Sequence, residues 1–405
     1  MKKIVLLSSG QPSVNPRLVK EANSLTTAGY DVSVIYSFWT HWAWEKDKQL
    51  FATVSWQPIL AGGAPYKDKC LYFFTRLRYK IVSLIANNIT LKFGIAEMAK
   101  GRASVELFRK AKSIKASFYI AHNLAALPVA VKAAKYHLAK CGFDAEDFHR
   151  QEVSDFPLEF NYKISKFLED KYLSSCAYLS SASPLIAKAY KKLYPQLDPV
   201  VINNVFEKKF VQNQIERGDD KLKLFWFSQT VGKNRGLEDV IGALNLLAND
   251  QIELYLLGNS NNDIEDYFNN LKKNSQTNIY FHKPIHSEEI FRFTSQFDIG
   301  LALEPGFCYN NKIALSNKLF TYLISGLAII ASDTAAQKDF LTENEEIGCV
   351  YSIGNVAELA TKIDYFFKNR IYLRACQGMA VQLAVTKYNW ENESKIFINS
   401  LKLFI

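Results

Sequence analysis

Short apolar runs recur along the chain at 4–7, 31–36, 117–120, 177–180, 224–227, 252–257, 278–281, 297–303 and 327–331. Between them lie stretches whose apolar positions repeat at helical spacing, at 17–28, 125–139, 184–193, 237–248, 264–273, 287–295 and 317–325. A run of apolar residues without alternation suits a strand buried on both faces, and strands alternating with helices predict a doubly wound parallel sheet. The rhythm stops at the polar stretch 208–220, which reads as a linker, and resumes at Leu222. A chain of 405 residues is long for one ordinary core, so two α/β domains are expected, 1–205 and 206–388. The aromatic stretch 38–56 shows no clear period and reads as irregular.

Polar residues collect where strands hand over to helices, which is where ligand crevices open in such sheets. The main concentration is 298–333, where two strands bracket a polar loop and a short helix at 317–325. Ser316 is placed to cap that helix and Gly326 to end it in the left-handed conformation. Free N–H groups at the helix start, the positive dipole end and Lys318 together suit an anion, a diphosphate being the common case. An ordinary capped core helix with a surface lysine is the alternative.

Three other turns carry candidate chemistry. After the first strand, Asn15 can cap a helix that opens with Pro16, and without a GxGxxG pattern no dinucleotide fingerprint is present. His122 sits at a strand-to-helix turn, although a single histidine is more often a structural hydrogen-bonder than a catalyst. Residues 143–150 end another strand with Asp144, Glu146, Asp147, His149 and Arg150 close together, either a pKa-perturbing cluster able to orient a hydroxyl or a solvated salt-bridged loop. No Asp-x-Asp at a strand end argues for a Mg²⁺ or Mn²⁺ site, so no metal is expected.

The segment Ser-Asn-Lys-Leu-Phe-Thr-Tyr-Leu-Ile-Ser-Gly-Leu-Ala-Ile-Ile-Ala-Ser-Asp, from Ser316 onward, resembles the donor-binding segment of GT-B glycosyltransferases, the family 4-like nucleotide-sugar transferases in particular. That resemblance implies two Rossmann-like domains facing a cleft, with the nucleotide-sugar donor in the second, the acceptor in the first, and the last helix, 389–405, packing back on the first. It also implies transfer to a glycan or lipid-linked acceptor in cell-surface polysaccharide or glycoconjugate synthesis, with retention at the sugar and no cofactor beyond the donor substrate. Glu304 then supplies a family carboxylate and His122 reaches the donor sugar, as the catalytic pair. Donor contacts fall on Gln229, Lys233, Arg235, Gly236, His282, Ser316, Asn317, Lys318 and Thr321. Acceptor contacts fall on Ser13, Asn15, Arg17, Glu146, Asp147 and Arg150. The sequence departs from the family at three points. Thr321 stands where a ribose-binding carboxylate belongs, Gln229 where a first arginine belongs, and Glu146 where a histidine belongs. A nucleotide-sugar epimerase on the same scaffold and a degenerate, non-catalytic subunit are the rival readings.

Composition adds two constraints. Apolar residues at 48 % and aromatics at 14 % describe a folded chain, and the six cysteines lack a CxxC pair or metal-ligand spacing, as in a reducing cytoplasm. The apolar run 4–7 is too short for a signal peptide core, and no window suits a membrane span. The net charge is +9, and residues 67–115 hold twelve basic and three acidic residues, again +9. This aromatic, basic segment is expected to lie on an anionic membrane at its inner face or to hold a lipid phosphate, the alternative being a helix with a solvated rim. No nucleic-acid motif accompanies the charge.

Overall fold

The computed structural model describes residues 1–212, 221–273, 278–286 and 289–405. Most of the expected linker (213–220) and the start of the expected helix 287–295 lie outside the described residues.

The chain divides into two compact units. The first comprises Met1–Asn203, Cys308–Asn310 and Ser394–Ile405, and the second Asn204–Phe307 and Asn311–Glu393. Each is built on one sheet, and every ladder pairing is parallel. The predicted pair of Rossmann-like sheets is therefore what the chain forms.

In the first unit the strands are β1 (Lys3–Ser8), β2 (Asp31–Ser37), β3 (Gln57–Ala61), β4 (Phe118–His122), β5 (Lys140–Ala145), β6 (Tyr178–Ser181) and β7 (Val200–Val201), in the spatial order 3-2-1-4-5-6-7. β1 and β4 are buried along almost their whole length, which is why they read as unbroken apolar runs. Two elements differ from expectation: a helix, Ala43–Phe51, and the edge strand β3 occupy the region read as irregular and its border. Pro58 is tolerated in β3 because it is an edge strand. The basic segment 67–115 is three helices, Lys69–Asn88, Ile95–Lys100 and Ser104–Lys112. The C-terminal segment 394–405 belongs to this unit, where the Phe397 and Phe404 rings lie 6.3 Å from that of Tyr178.

The second sheet contains β8 (Leu222–Thr230), β9 (Ile252–Asn259), β10 (Asn278–His282), β11 (Ile299–Ala302), β12 (Ala328–Ser332) and β13 (Gly348–Tyr351), in the order 10-9-8-11-12-13. Leu224, Trp226, Leu254, Leu301 and Ile330 from these strands meet Val240 and Ile363 from flanking helices in one core. The helix Asn317–Ser325 packs directly on β11 because Gly300 has no side chain: a Cβ there would stand 2.2 Å from the Tyr322 ring. Tyr322 Oη also donates to the Leu301 carbonyl at 2.9 Å. No described helix is long and apolar enough to cross a membrane.

In each sheet the order reverses beside the first strand, between β1 and β4 and between β8 and β11. Chains leaving the carboxyl ends of such neighbours run to opposite faces, and a crevice opens there.

Candidate functional site

In the second unit, the switch point lies at the ends of β8 and β11, where Glu304 emerges. Its carboxylate Oε1 accepts from Ser316 Oγ and Lys318 Nζ, each at 2.8 Å, and Oε2 accepts from Asn311 Nδ2 at 3.1 Å. Burial alone would raise the pKa of Glu304; the Lys318 ammonium and these hydrogen bonds outweigh it and hold the carboxyl below its usual range. The backbone there is pinned as well: Glu304 N–H donates to Ser332 Oγ at 2.9 Å, and Gln337 Nε2 donates to the same oxygen at 2.9 Å.

Ser316 occupies the expected N-cap position, but its hydroxyl donates to Glu304 and makes no cap hydrogen bond. The amino end of the helix Asn317–Ser325 is therefore associated with a carboxylate supplied by the chain itself. Gly326 ends the helix at φ 70°, as expected. Lys318 Nζ also lies 5.8 Å from the Trp226 ring, and two residues along β8 Ser228 Oγ accepts from Arg235 Nη1 at 2.9 Å. The loop that carries Arg235 follows β8 and the helix start that carries Lys318 follows β11, so both cations lie beyond the carboxyl ends of neighbouring parallel strands. Arg235 and Lys233 are exposed, the latter 4.0 Å over the Tyr267 ring. Gly236, at φ +78°, lets this loop close on β11, because a Cβ would come 2.7 Å from that of Leu303. Gln229 is exposed at the end of β8, and Asn317 is exposed at the first turn of its helix. His282 ends β10, two strands from β8 and so roughly 10 Å to one side. Burial lowers its basicity.

Thr321 is placed differently from expectation. It is 2 % exposed, and its hydroxyl donates to the Asn317 carbonyl one turn back at 3.1 Å. A threonine inside a helix commonly bonds its own backbone in this way, and a hydroxyl so turned does not face a ribose.

In the first unit, His122 at the end of β4 is fully enclosed, its nitrogens 3.3 Å from Glu21 and from Asp144. Arg17 Nε and Nη2 grip both oxygens of Asp144 at 2.7 Å, Arg17 Nη1 donates to the Ile202 carbonyl, and Ser180 Oγ adds a bond to Asp144 at 2.6 Å. Burial would favour a neutral imidazole, but Glu21 and Asp144 outweigh it and raise His122 to about 10, so the ring is protonated at neutral pH. Enclosed and already carrying its proton, His122 is neither a base nor a sugar contact. Arg17, also without exposed surface, is not an acceptor contact either. Glu21, His122 and Asp144 do bring ligand-type atoms within 4.8 Å of one another. Arg17 already occupies both Asp144 oxygens, so this set fits an ion-pair network better than a cation site.

Arg150 is likewise spent internally: 6 % exposed, it pairs with Glu169, with Asp170 at 2.8 Å and with the Tyr194 hydroxyl. The remaining predicted acceptor residues are half-buried. Asn15 caps its helix through Leu18 N–H at 3.0 Å and donates to Glu146 Oε1 at 2.8 Å. The Ser13 N–H donates to Asp47 at 3.0 Å. Asp147 accepts from Asn310 at 2.8 Å. Burial and neighbouring carboxylates raise both Glu146 and Asp147 above the usual range. Sequence reasoning missed Asn311, Ser332 and Trp226. Asn311 had the clearest signal, as a polar residue between the two bracketing strands.

Two parallel sheets, each with a switch point and a polar cluster at the strand ends, define the GT-B fold. Solved structures share it over the whole chain: sucrose-phosphate synthase from Thermosynechococcus elongatus (TM-score 0.73, 12 % identity, 100 % of this chain and 99 % of that one) and Anabaena HepE in complex with UDP and glucose (0.70, 12 %, 100 % of both). A putative UDP-N-acetylglucosamine 2-epimerase from Listeria monocytogenes is also similar (0.58, 11 %, 99 % of this chain and 96 % of that one). A family profile described as glycosyl transferase-like matches residues 238–398. No curated protein sequence matches the chain.

Proposed function

We propose that this chain is a glycosyltransferase that moves a sugar from a nucleoside-diphosphate sugar to a glycan or lipid-linked acceptor in cell-surface polysaccharide or glycoconjugate synthesis. Donor binding falls to the second unit, acceptor binding to the first, and the enzyme touches the inner face of an anionic membrane through its basic segment. The single observation that carries the reading is the cluster of Glu304, Ser316 and Lys318 at the start of a helix, at the β8/β11 switch point, with Arg235 in the loop that follows β8. That arrangement is suited to a diphosphate.

In this reading the sugar C1–O bond breaks and its electron pair passes to the diphosphate, whose growing charge Lys318, Arg235, Lys233 and the helix amino end neutralise. The acceptor oxygen bonds to C1 on the face the diphosphate leaves, and the acceptor proton passes to a diphosphate oxygen, giving retention without a metal. As the diphosphate takes Lys318, Glu304 is released to accept hydroxyls of the donor sugar. Gln229, Gly236, Asn317 and His282 complete the donor side, and Ser13, Asn15, Glu146 and Asp147 the acceptor side. The test is a screen for a nucleoside diphosphate that stabilises the protein, followed by product analysis. Sugar turnover with donor alone, and no acceptor product, would make the chain an epimerase instead. One observation favours a non-catalytic donor-binding subunit, the inward-turned Thr321; that reading predicts nucleotide binding with no turnover of any donor.

A further inference from the structure

The helix Lys69–Asn88 has an inverted exposure pattern. At about 100° per residue, Tyr72, Thr75, Val82 and Ala86 fall on one side and are buried, which fixes the helix on the first unit. Phe73, Phe74, Leu77, Ile81 and Leu84 share the opposite sector, and each is between 50 and 66 % exposed. An ordinary surface helix carries charged groups there. Lys69, Arg76 and Lys80 line one edge of the apolar sector; all three are exposed, and none has a carboxylate partner among the described residues. No Asp or Glu occurs from 69 to 96.

Ile89 is 76 % and Phe93 90 % exposed, with Lys92 between them, and Leu158, 82 % exposed, shares a surface depression with Lys92 and Lys163.

We propose that this face docks on an anionic lipid bilayer, with Phe73, Leu77, Ile81 and Leu84 entering the headgroup–acyl boundary and Lys69, Arg76 and Lys80 resting on lipid phosphates. Apolar side chains flanked by uncompensated cations match the layered chemistry of such a surface, an apolar interior beneath a negative plane. Charge argues against a second copy as the occupant, since two such faces would oppose their cations. The inference narrows the membrane contact in the proposed function from a basic segment to one helix face, and it rests on that reading only for its purpose, which is to bring the enzyme to a membrane-borne acceptor.

The test is co-sedimentation of the full chain with vesicles of phosphatidylcholine alone and with about 30 % phosphatidylglycerol added. Binding is expected on the anionic vesicles, at least about tenfold weaker on the neutral ones, and reduced at least about tenfold by Leu77→Glu with Leu84→Glu or by Lys69→Glu with Lys80→Glu. Both variants alter exposed groups and should melt as the unaltered protein does. Absence of binding to anionic vesicles, or equal binding by both variants, would overturn the proposal. So would a concentration-dependent dimer abolished by Leu77→Glu with Leu84→Glu, which would assign the face to a second copy. Nucleotide stabilisation measured on the same variants reports on the second unit separately. Vesicle binding without it would sink the transferase reading and leave the docking face standing.

Discussion

Replacing Glu304 by Gln should make the protein bind a nucleoside diphosphate more tightly while transferring sugar more slowly. The carboxylate holds Lys318 at 2.8 Å, with the two side chains 17 % and 16 % exposed, so an incoming diphosphate must compete with an anion already in place. A hydrogen bond to a charged group is worth about 1.5–3 kcal/mol. Glutamine keeps a partner for Ser316 or Asn311, and partial exposure screens the rest, which leaves about 1–2 kcal/mol of competition to remove. Affinity should therefore rise by about 5- to 30-fold. Turnover should fall, because the released carboxylate is the group that would accept the sugar hydroxyls. Stability supplies a second readout. A carboxyl held below its usual value stabilises the fold above the unfolded value and loses that contribution as the pH falls through the folded one. The variant should thus melt below the unaltered protein at pH 7, with the gap closing under acid. Titration calorimetry and melting curves measure both effects. Equal or weaker diphosphate binding by Glu304→Gln would refute the competition.

Three further outcomes follow from the geometry. Thr321→Val should change nucleotide affinity less than about twofold, since the hydroxyl serves only the Asn317 carbonyl; a larger loss by calorimetry would return Thr321 to the ribose site. Asp144→Asn should destabilise the first unit by about 3–5 kcal/mol, because it removes the carboxylate that both Arg17 and His122 face and leaves the two buried cations to share Glu21, and denaturant melts would show this. His122, raised to about 10 in the fold, contributes stability that is fully present below its unfolded value near 6.5 and is lost as the pH rises through about 10. Melting temperatures of His122→Gln across that range should decline less steeply than those of the unaltered protein, and parallel curves would contradict the protonated ring.

The sheets were legible because strands buried on both faces leave unbroken apolar runs, and the turn chemistry at Asn15, Pro16 and Gly326 marks helix ends locally. The edge strand β3 was not, since its residues are mostly half-buried and Pro58 interrupts them. Glu304, Ser316 and Lys318 were readable as a group because they are close in sequence and flank a single helix start. Arg17 and His122 were misread for the converse reason: Arg17 is paired with a residue 127 positions away, and nothing local distinguishes a charge that faces a ligand from one neutralised inside. Arg150 fails in the same way through Glu169 and Asp170. Thr321 differs again, because whether its hydroxyl turns outward or back to the helix is a rotamer choice that no sequence pattern records.

The most direct measurement is a thermal-shift comparison of the unaltered protein with Lys318→Ala against UDP, GDP, ADP, CMP and dTDP. A ligand at about a hundred times its dissociation constant adds roughly 2.7 kcal/mol, a shift of several degrees for a unit of this size. One nucleoside diphosphate should stabilise the unaltered protein and leave Lys318→Ala where it was. Stabilisation by none of them, or equal stabilisation of both proteins, would contradict a diphosphate site at the start of the helix Asn317–Ser325.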